Sequence, residues 1–216
     1  IGAGYIGLEM GSVWSRLGSS VTVVEFLDNI VPNVDLEVAK HFQRNLQKQG
    51  INFMLGTKVI QVDLNDKGVA LLAESVNGGS QQKIDCDVVL VAVGRKPSTD
   101  NLGLEELGVK RDKNGFLCVN DKLETSVANI LAIGDCIPGP MLAHKAEEDG
   151  VAAVEMIAGG SAHIDHNLVP SIIYTHPEVA SVGKTEEHLK SQNINYNVGK
   201  FPFSANSRAR ANDDTD

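Results

Sequence analysis

The chain has 216 residues, of which 42% are hydrophobic and 22% are charged, and its formal net charge is -9 at pH 7. This composition supports one large or two modest packed domains and argues against a disordered chain. The acidic balance argues against a nucleic-acid partner, since such surfaces usually cluster lysine and arginine. No apolar run approaches the roughly 18 residues that span a bilayer, so we expect no membrane partner either.

The three cysteines, Cys86, Cys118 and Cys136, lie far apart and form no CxxC pair. An odd and scattered set of cysteines is typical of reduced thiols in an intracellular protein. We therefore expect neither a metal site nor a structural disulfide.

The first part of the chain alternates strand-like and helix-like patterns. Residues 5–17 and 35–50 place apolar residues at helical spacing, with Asp35 and Gly50 suited to the ends of the second segment. Short β-rich runs predict buried strands at residues 21–25, 51–55 and 87–94, and residues 59–75 predict a hairpin that turns at residues 65–68. This order predicts an α/β domain with a mainly parallel sheet.

The pattern changes after about residue 108. We expect short strands near residues 116–119 and 130–133, and then a loop and a long helix. Pro140 suits the start of that helix, and Gly159 and Gly160 suit its end. The last predicted elements are strands at residues 171–175 and 179–183, a helix near residues 185–191, and a polar tail.

The chain opens on a glycine-rich loop, in which Gly2, Gly4 and Gly7 form a GxGxxG motif before a helix. In dinucleotide-binding loops the first glycine permits a tight turn, the second lets the pyrophosphate approach, and the third lets helix and strand pack closely. The next strand ends in Glu25, at the distance expected for a ribose ligand, although a plain surface charge is the alternative. A carboxylate repels a 2′-phosphate and no arginine follows in residues 25–33, so the motif favours NAD over NADP.

A second candidate site follows the predicted strand at residues 130–133, which runs into Gly134 and Asp135. The glycine lets the chain approach a ligand closely, and the aspartate can accept hydrogen bonds from sugar-like hydroxyls. The alternative is an ordinary β-turn, since Gly-Asp is common in turns. A helix N-terminus just beyond could direct backbone N–H groups at an anionic ring system.

Four long stretches together resemble the mitochondrial-type dihydrolipoamide dehydrogenase family, flavoproteins among the pyridine nucleotide-disulfide oxidoreductases. They are GAGYIGLEMGSVWSRLGSSVTVVE, GRKPSTDNLGLEELG, ILAIGDCIPGPMLAHKAEEDG and PSIIYTHPEVASVGKTEE, and the resemblance runs in order over the whole chain. It implies an α/β flavoprotein fold with two dinucleotide-binding, Rossmann-like domains. Its implied boundaries are an NAD-binding domain at residues 1–98, a central region completing the FAD site at residues 99–166, and the start of an α+β interface domain at residues 167–216.

The resemblance also implies an activity. The parent enzyme would oxidise dihydrolipoamide to lipoamide and pass the electrons through a redox disulfide and FAD to NAD. It would be a homodimer in the mitochondrial matrix. Its partners would be the lipoyl domains and core of 2-oxoacid dehydrogenase complexes, and it would also serve the glycine-cleavage complex.

The residues that match the cofactor sites of this family form two groups. The NAD group supplies the pyrophosphate loop, a carboxylate near the nicotinamide (Glu9), the adenosine-ribose ligand (Glu25) and further contacts. It consists of Gly2, Ala3, Gly4, Tyr5, Ile6, Gly7, Leu8, Glu9, Glu25, Val59 and Gly94. The FAD group supplies a ribityl ligand (Asp135) and a helix start beneath the flavin pyrimidine. It consists of Asp135, Met141, Leu142, Ala143 and His144.

The catalytic groups of the family have no match in this sequence. The redox pair is CxxxxC, which none of the three cysteines forms, and the acid–base His-Glu pair would lie beyond residue 216. His176 and Glu178 fall instead at the start of the interface domain, so we interpret His176 as structural. His41, His163, His166 and His188 are interpreted as surface or packing residues. We therefore expect an internal fragment that is inactive alone.

Two alternatives remain beside this interpretation. A glutathione- or mercuric-type reductase of the same fold would commonly prefer NADP and carry arginine where Glu25 stands. A non-catalytic nucleotide-binding module would lack the CxxxxC pair altogether.

Overall fold

A computed structural model describes residues 1–66, 68–162 and 164–215. The chain forms two compact units. Unit 1 is Ile1–Gly94 together with Ile172–Asp216, and unit 2 is Arg95–Ser171. The three domains expected from the resemblance, with boundaries after residues 98 and 166, stay a prediction.

The α-helices lie close to their expected positions. They are α1 (Tyr5–Arg16), α2 (Leu36–Lys48), α3 (Ala143–Ile157), α4 (Glu186–Ser191) and α5 (Ser207–Ala211). The N-cap of α2 is confirmed, because the Asp35 carboxylate accepts a hydrogen bond from the backbone N–H of Glu37 at 3.2 Å. We expected only a polar tail at the end of the chain, but part of it forms α5. The Asn206 side chain caps this helix by accepting a hydrogen bond from the N–H of Ala209.

The strands form three small sheets. They are β1 (Thr22–Val24), β2 (Asn52–Met54), β3 (Thr57–Asn65), β4 (Gly68–Ser75), β5 (Gln81–Cys86), β6 (Ser171–Ile173) and β7 (Val179–Ser181). Strands β1 and β2 pair in parallel, as expected, with Thr22 opposite Asn52. The hairpin of β3 and β4 is confirmed, although Lys67 in its turn lies outside the described residues, and β5 extends it into an antiparallel sheet. Strands β6 and β7 pair with each other.

The buried strand expected at residues 87–94 is wrong. This segment is extended, but its described backbone bonds reach only Ile1, whose amino group donates to Leu90 O at 2.7 Å and whose carbonyl accepts from Ala92 N at 2.8 Å. A ladder to a single residue is too short to make a regular strand, and Val88 remains 83% exposed. On its other side the N-terminal segment bonds β1, through Gly2 N and Val24 O at 2.8 Å.

The short strands expected near residues 116–119 and 130–133 also do not form among the described residues. Isolated bridges take their place, between Arg111 and Leu117 and between Glu124 and Leu131. The segments contribute buried side chains all the same, because Leu117 and Ala132 lie in the core of unit 2.

Each unit has its own hydrophobic core. That of unit 1 packs Leu8 of α1 and Phe42 of α2 with Ile173 of β6 and Val179 of β7, which explains why the C-terminal segment belongs to this unit. That of unit 2 includes Leu117, Leu123, Ile137 and Ala153. None of the described helices is long and apolar enough to cross a membrane.

Candidate functional site

The glycine-rich loop is shaped by two positions where no side chain fits. Gly2 has φ of +101°, and a Cβ there would overlap the carbonyl oxygen of Ala92. A Cβ at Gly7 would overlap the carbonyl oxygen of Gly2, so the helix packs directly on the loop. These are the tight turn and the close helix packing expected of the first and third glycines.

The second glycine is open instead. A Cβ at Gly4 would meet no atom within 4 Å. Gly4 is also the N-cap of α1, and no side chain caps that helix end. The first-turn N–H groups therefore lack a side-chain acceptor at a place where an anion can approach the backbone.

The Glu25 carboxylate holds the glycine loop to the end of β1. Its Oε2 accepts a hydrogen bond from the backbone N–H of Ala3 at 2.6 Å, and its Oε1 accepts one from Leu27 at 2.8 Å. A carboxylate has about four acceptor positions, so two remain for other donors. Glu25 is thus part of the loop architecture rather than a plain surface charge, while its role as a ribose ligand stays a prediction.

The other predicted NAD residues, Val59, Gly94 and Glu9, also lie in unit 1. Strand β3, which carries Val59, begins beside Glu25, because Thr57 N donates to Glu25 O at 2.8 Å. Gly94 lies two residues beyond Ala92, which bonds Ile1. On α1, the Glu9 carboxylate accepts a hydrogen bond from Tyr174 N at 2.9 Å.

The remaining loop residues differ in what they can offer a ligand. Tyr5 is 36% exposed and Ile6 is half-buried, so their side chains are accessible. Leu8 is 0% exposed and lies in the core. Only its backbone is left to contact a cofactor.

The second candidate site lies in unit 2. Asp135 occupies a 3₁₀ turn, Gly134–Cys136, and its Oδ2 lies 3.2 Å from Nη2 of Arg95. This ion pair is solvent-accessible, with the Asp135 side chain 43% exposed. Sequence reasoning missed Arg95, which directly follows the predicted NAD residue Gly94.

The predicted flavin helix begins within residues 141–144, as the resemblance implies, and not at Pro140, which lies in the preceding loop. Helix α3 starts at Ala143 with Leu142 as its N-cap, Met141 directly precedes them, and no side chain caps this helix end. His144 Nε2 lies 2.8 Å from the carbonyl oxygen of Pro170. The start of α3 thus offers backbone N–H groups without a side-chain acceptor, which suits a negatively charged ligand.

A buried polar cluster connects the Asp135 turn to α3. Lys145 and Asp149 form an ion pair of 2.7 Å, with side chains 1% and 0% exposed. Both also bind the peptide of Gly134, and His166 Nε2 lies 2.9 Å from the second oxygen of Asp149. Burial alone raises the pKa of Asp149, but the hydrogen bonds from Lys145, His166 and Gly134 outweigh it and hold the pKa below its ordinary value.

Sequence reasoning missed this cluster and interpreted His166 as a surface or packing residue. The signal that could have indicated it is the i, i+4 spacing of Lys145 and Asp149 on one helix face. Such pairs usually lie on the surface, so the spacing alone does not reveal the burial.

The other histidines and the cysteines show no reactive arrangement in the described part of the chain, and His163 lies outside the described residues. The backbone carbonyl of His176 accepts a hydrogen bond from Gln49 Nε2 at 2.6 Å, which fits a structural role. Cys86, Cys118 and Cys136 are free thiols. Burial, together with Asp87 and Asp85, raises the pKa of the Cys86 thiol and disfavours its thiolate.

A glycine loop at the start of a helix, joined to a strand that ends in a carboxylate, defines a dinucleotide-binding α/β protein. Residues 1–150 match the model of the pyridine nucleotide-disulphide oxidoreductase family, and residues 169–216 match the dimerisation domain of that family. The chain belongs to the pyridine nucleotide-disulphide oxidoreductase family.

Curated relatives are consistent with this family. Two are dihydrolipoyl dehydrogenase 2, mitochondrial, and dihydrolipoyl dehydrogenase 1, mitochondrial, both of Arabidopsis thaliana. They are 62% and 61% identical over 99% and 100% of the chain, which spans 42% and 43% of their lengths. A solved structure of the HOCl-induced flavoprotein disulfide reductase RclA from Escherichia coli, as a Cu(II) complex, is similar with a TM-score of 0.84 at 28% identity. That match covers 100% of the chain and 48% of the RclA chain.

Proposed function

We propose that this chain is part of a dihydrolipoyl dehydrogenase that oxidises dihydrolipoamide to lipoamide with NAD as the electron acceptor. Relatives of that name at 62% and 61% identity support the proposal. The single structural observation that carries it is the bond from Ala3 N to the Glu25 carboxylate at 2.6 Å. This bond holds a negative charge beside the glycine loop, where it would oppose a 2′-phosphate and so favours NAD.

The residues of unit 1 fit NAD, which supplies the hydride acceptor of the reaction. The open position at Gly4 and the uncapped start of α1 leave room and N–H donors for a pyrophosphate. Glu25 accepts from a ribose 2′-hydroxyl and repels a phosphate there. In this assignment residues 2–9, Glu25, Val59 and Gly94 contact the cofactor.

The residues of unit 2 fit FAD, which carries electrons between a dithiol and the nicotinamide. Asp135 keeps an exposed carboxylate next to its ion pair with Arg95, so it can accept from a ribityl hydroxyl. Residues 141–144 form the start of α3, whose N-terminus no side chain caps, and they would lie beneath the flavin pyrimidine. The partial positive charge of that helix end stabilises negative charge that develops there.

The chemistry on sulfur needs residues outside this chain. The proposed reaction transfers two electrons from the dithiol of dihydrolipoamide to an enzyme disulfide, which becomes a dithiol while lipoamide leaves as the disulfide. This chain provides no catalytic residue in that step. Its three cysteines are far apart in sequence and free.

The proposed oligomeric state, location and partners rest on the family match and on the names of the relatives. The match of residues 169–216 to the dimerisation domain supports a homodimer. The names of the relatives support a mitochondrial location, and within the mitochondrion we propose the matrix. The proposed partners are the lipoyl domains and core of 2-oxoacid dehydrogenase complexes and the glycine-cleavage complex.

Two other activities are less well supported. A glutathione- or mercuric-type reductase commonly uses NADP, and the Glu25 carboxylate opposes a 2′-phosphate. A non-catalytic nucleotide-binding module does not account for a second dinucleotide-type site at Asp135 and α3.

The test is a substrate comparison on the full-length protein that contains this chain. We expect rapid NAD reduction with dihydrolipoamide, and little NADPH oxidation with glutathione disulfide or Hg(II). Heat-denatured protein provides the blank. A preference for NADPH with either of the other two substrates would contradict the proposal, and flavin-free, inactive protein would favour the non-catalytic module.

A further inference from the structure

The backbone N–H and the backbone carbonyl of Gly134 are both held by side chains of one helix. Its N–H donates to Asp149 Oδ2 at 3.0 Å, and its carbonyl accepts from Lys145 Nζ at 2.9 Å. Gly134 has φ of +70°, and a Cβ there would lie 3.2 Å from Cβ of Ala146. The turn that presents Asp135 is therefore fixed directly on the first turns of α3.

The charged groups of Lys145 and Asp149 are both buried. Lys145 and Asp149 are 1% and 0% exposed and lie 2.7 Å apart. The second carboxylate oxygen of Asp149 lies 2.9 Å from Nε2 of His166. A Cβ at Gly139 would lie 3.3 Å from Cε of Lys145 and 3.4 Å from Nδ1 of His166, so the loop leading to α3 also packs on this cluster.

General stability does not explain why such a cluster would be buried. Replacing a buried ion pair by apolar residues of similar volume is often neutral or stabilising, because both charges lose their hydration when they are buried. The bonds of Lys145 and Asp149 to Gly134, however, have direction, and they set the orientation of the two peptide units that meet at Gly134. A cluster of this kind is suited to holding a geometry rather than to adding stability.

We propose that Lys145, Asp149 and His166 are positioning residues of the flavin site. They hold Asp135 and the start of α3 in their binding arrangement before flavin arrives. Asp135 directly follows the fixed peptide of Gly134, and His144 directly precedes Lys145. The inference rests on the proposed function, since it takes Asp135 and residues 141–144 as flavin ligands.

Preorganisation has a measurable consequence for FAD. When only a fraction of the protein is in the binding-competent arrangement, the apparent Kd rises by the inverse of that fraction. A turn that keeps its competent orientation about one tenth of the time would bind FAD about tenfold more weakly. The change would occur without removal of any group that touches the flavin.

The test uses apoprotein of the full-length chain and the double variant Lys145→Met, Asp149→Leu. Both substitutions are made together because a single one would leave an unpaired buried charge and could unfold the protein. FAD is titrated by flavin fluorescence, and the visible absorption bands of the bound flavin are recorded. We expect a Kd raised about tenfold or more and altered bands in apoprotein that remains folded, with a lowered Tm because the N–H and C=O of Gly134 lose their partners.

His166 allows a second, milder variant pair. His166→Ala removes the donor to Asp149 and should raise the Kd for FAD. His166→Gln keeps an N–H donor and should recover part of the affinity. The side chain is 31% exposed, so neither change leaves a large cavity.

The matched control is the i, i+4 pair of Lys190 and Glu186 on α4, which lie 2.6 Å apart with side chains 60% and 25% exposed. Lys190→Met with Glu186→Leu should leave the Kd for FAD unchanged. Unchanged Kd and absorption bands in the Lys145, Asp149 variant would overturn the positioning role. If the double variant unfolds, the His166 pair decides, and a Kd unmoved by His166→Ala would overturn it.

Asp135→Ala separates this inference from the proposed function. If Asp135→Ala weakens FAD binding while the cluster variants do not, only the positioning role fails. If Asp135→Ala also binds FAD like the unmodified protein, the proposed flavin site itself is wrong.

Discussion

The backbone N–H of Ala3 donates to the Glu25 carboxylate at 2.6 Å, and this bond joins two positions 22 residues apart in the chain. One side chain thereby shapes the glycine loop and keeps acceptor positions for a ligand. A charged acceptor makes this a strong hydrogen bond, so the loop and the end of β1 should respond together to any change at Glu25.

Coenzyme choice should follow the charge of Glu25. The full-length enzyme should use NADH far better than NADPH, and Glu25→Arg should shift the ratio of kcat/KM toward NADPH by about tenfold or more, which corresponds to about 1.4 kcal/mol. Part of the NADH activity should also be lost, because arginine cannot accept from Ala3. Steady-state rates with both coenzymes measure this.

Glu25→Gln is the control for that experiment, because it keeps an acceptor oxygen for Ala3 without the negative charge. Glu25→Gln should reduce the preference for NADH over NADPH less than Glu25→Arg does. Equal use of NADH and NADPH by the unmodified enzyme would contradict the assigned role of Glu25.

Two of the loop glycines, Gly4 and Gly7, should differ in their tolerance of alanine. Gly7→Ala should destabilise the fold, because its Cβ would overlap the carbonyl of Gly2. Gly4→Ala should fold normally, since the position is open, yet weaken NAD binding by filling the space left for the pyrophosphate. Thermal unfolding and NADH titration on the full-length protein separate the two effects.

Gly11→Ala is the matched control on the same helix. Its Cβ would make an ordinary contact of 3.5 Å with Val21, so neither folding nor NAD affinity should fall. Unimpaired NAD binding in Gly4→Ala would place the pyrophosphate elsewhere.

Flavin retention should depend on Asp135. Asp135→Ala removes a carboxylate acceptor, and a hydrogen bond to a charged group is worth about 1.5–3 kcal/mol, or about ten- to a hundredfold in FAD affinity. The flavin absorbance per chain after gel filtration and dilution is the readout. Asp121→Ala, at an exposed position of the same unit, should retain its flavin. Undiminished affinity in Asp135→Ala would mean that Asp135 is an ordinary turn residue.

The buried cluster should make the protein sensitive to acid. The pKa of Asp149 in the folded protein lies below its ordinary value of 3.8, so its contribution to stability is present above that value and is lost as pH falls through the folded pKa. Asp149→Asn should remove this part of the pH dependence. It should also destabilise the protein at pH 7 by about 3–5 kcal/mol, because the Lys145 charge stays buried without a carboxylate.

Urea unfolding of the full-length protein between pH 7 and about pH 2 measures both effects, since the predicted loss lies below the ordinary pKa of 3.8. Asp121→Asn, which is exposed, serves as the control. If the free energy of unfolding falls equally steeply toward acid pH in Asp149→Asn and in the unmodified protein, Asp149 does not contribute to the acid sensitivity.

Much of the local structure could be predicted from the sequence. The helical periodicity of α1 and α2, the Asp35 cap and the hairpin of β3 and β4 depend on residues a few positions apart, and the structure has them where expected. The strand expected at residues 87–94 failed because an apolar run does not specify a pairing partner, and here the described partner is Ile1 alone.

The candidate sites divide in the same way. The sequence by itself determined the three glycines, the carboxylate of Glu25 and the Gly134–Asp135 turn before a helix, because these are local patterns with known chemical uses. Only the tertiary structure decided that Glu25 bonds Ala3 and that Lys145 and Asp149 are buried around the peptide of Gly134. The i, i+4 spacing predicts that two charged residues lie on the same face of a helix. Whether that face is exposed to solvent or buried against another segment depends on packing between residues distant in the chain.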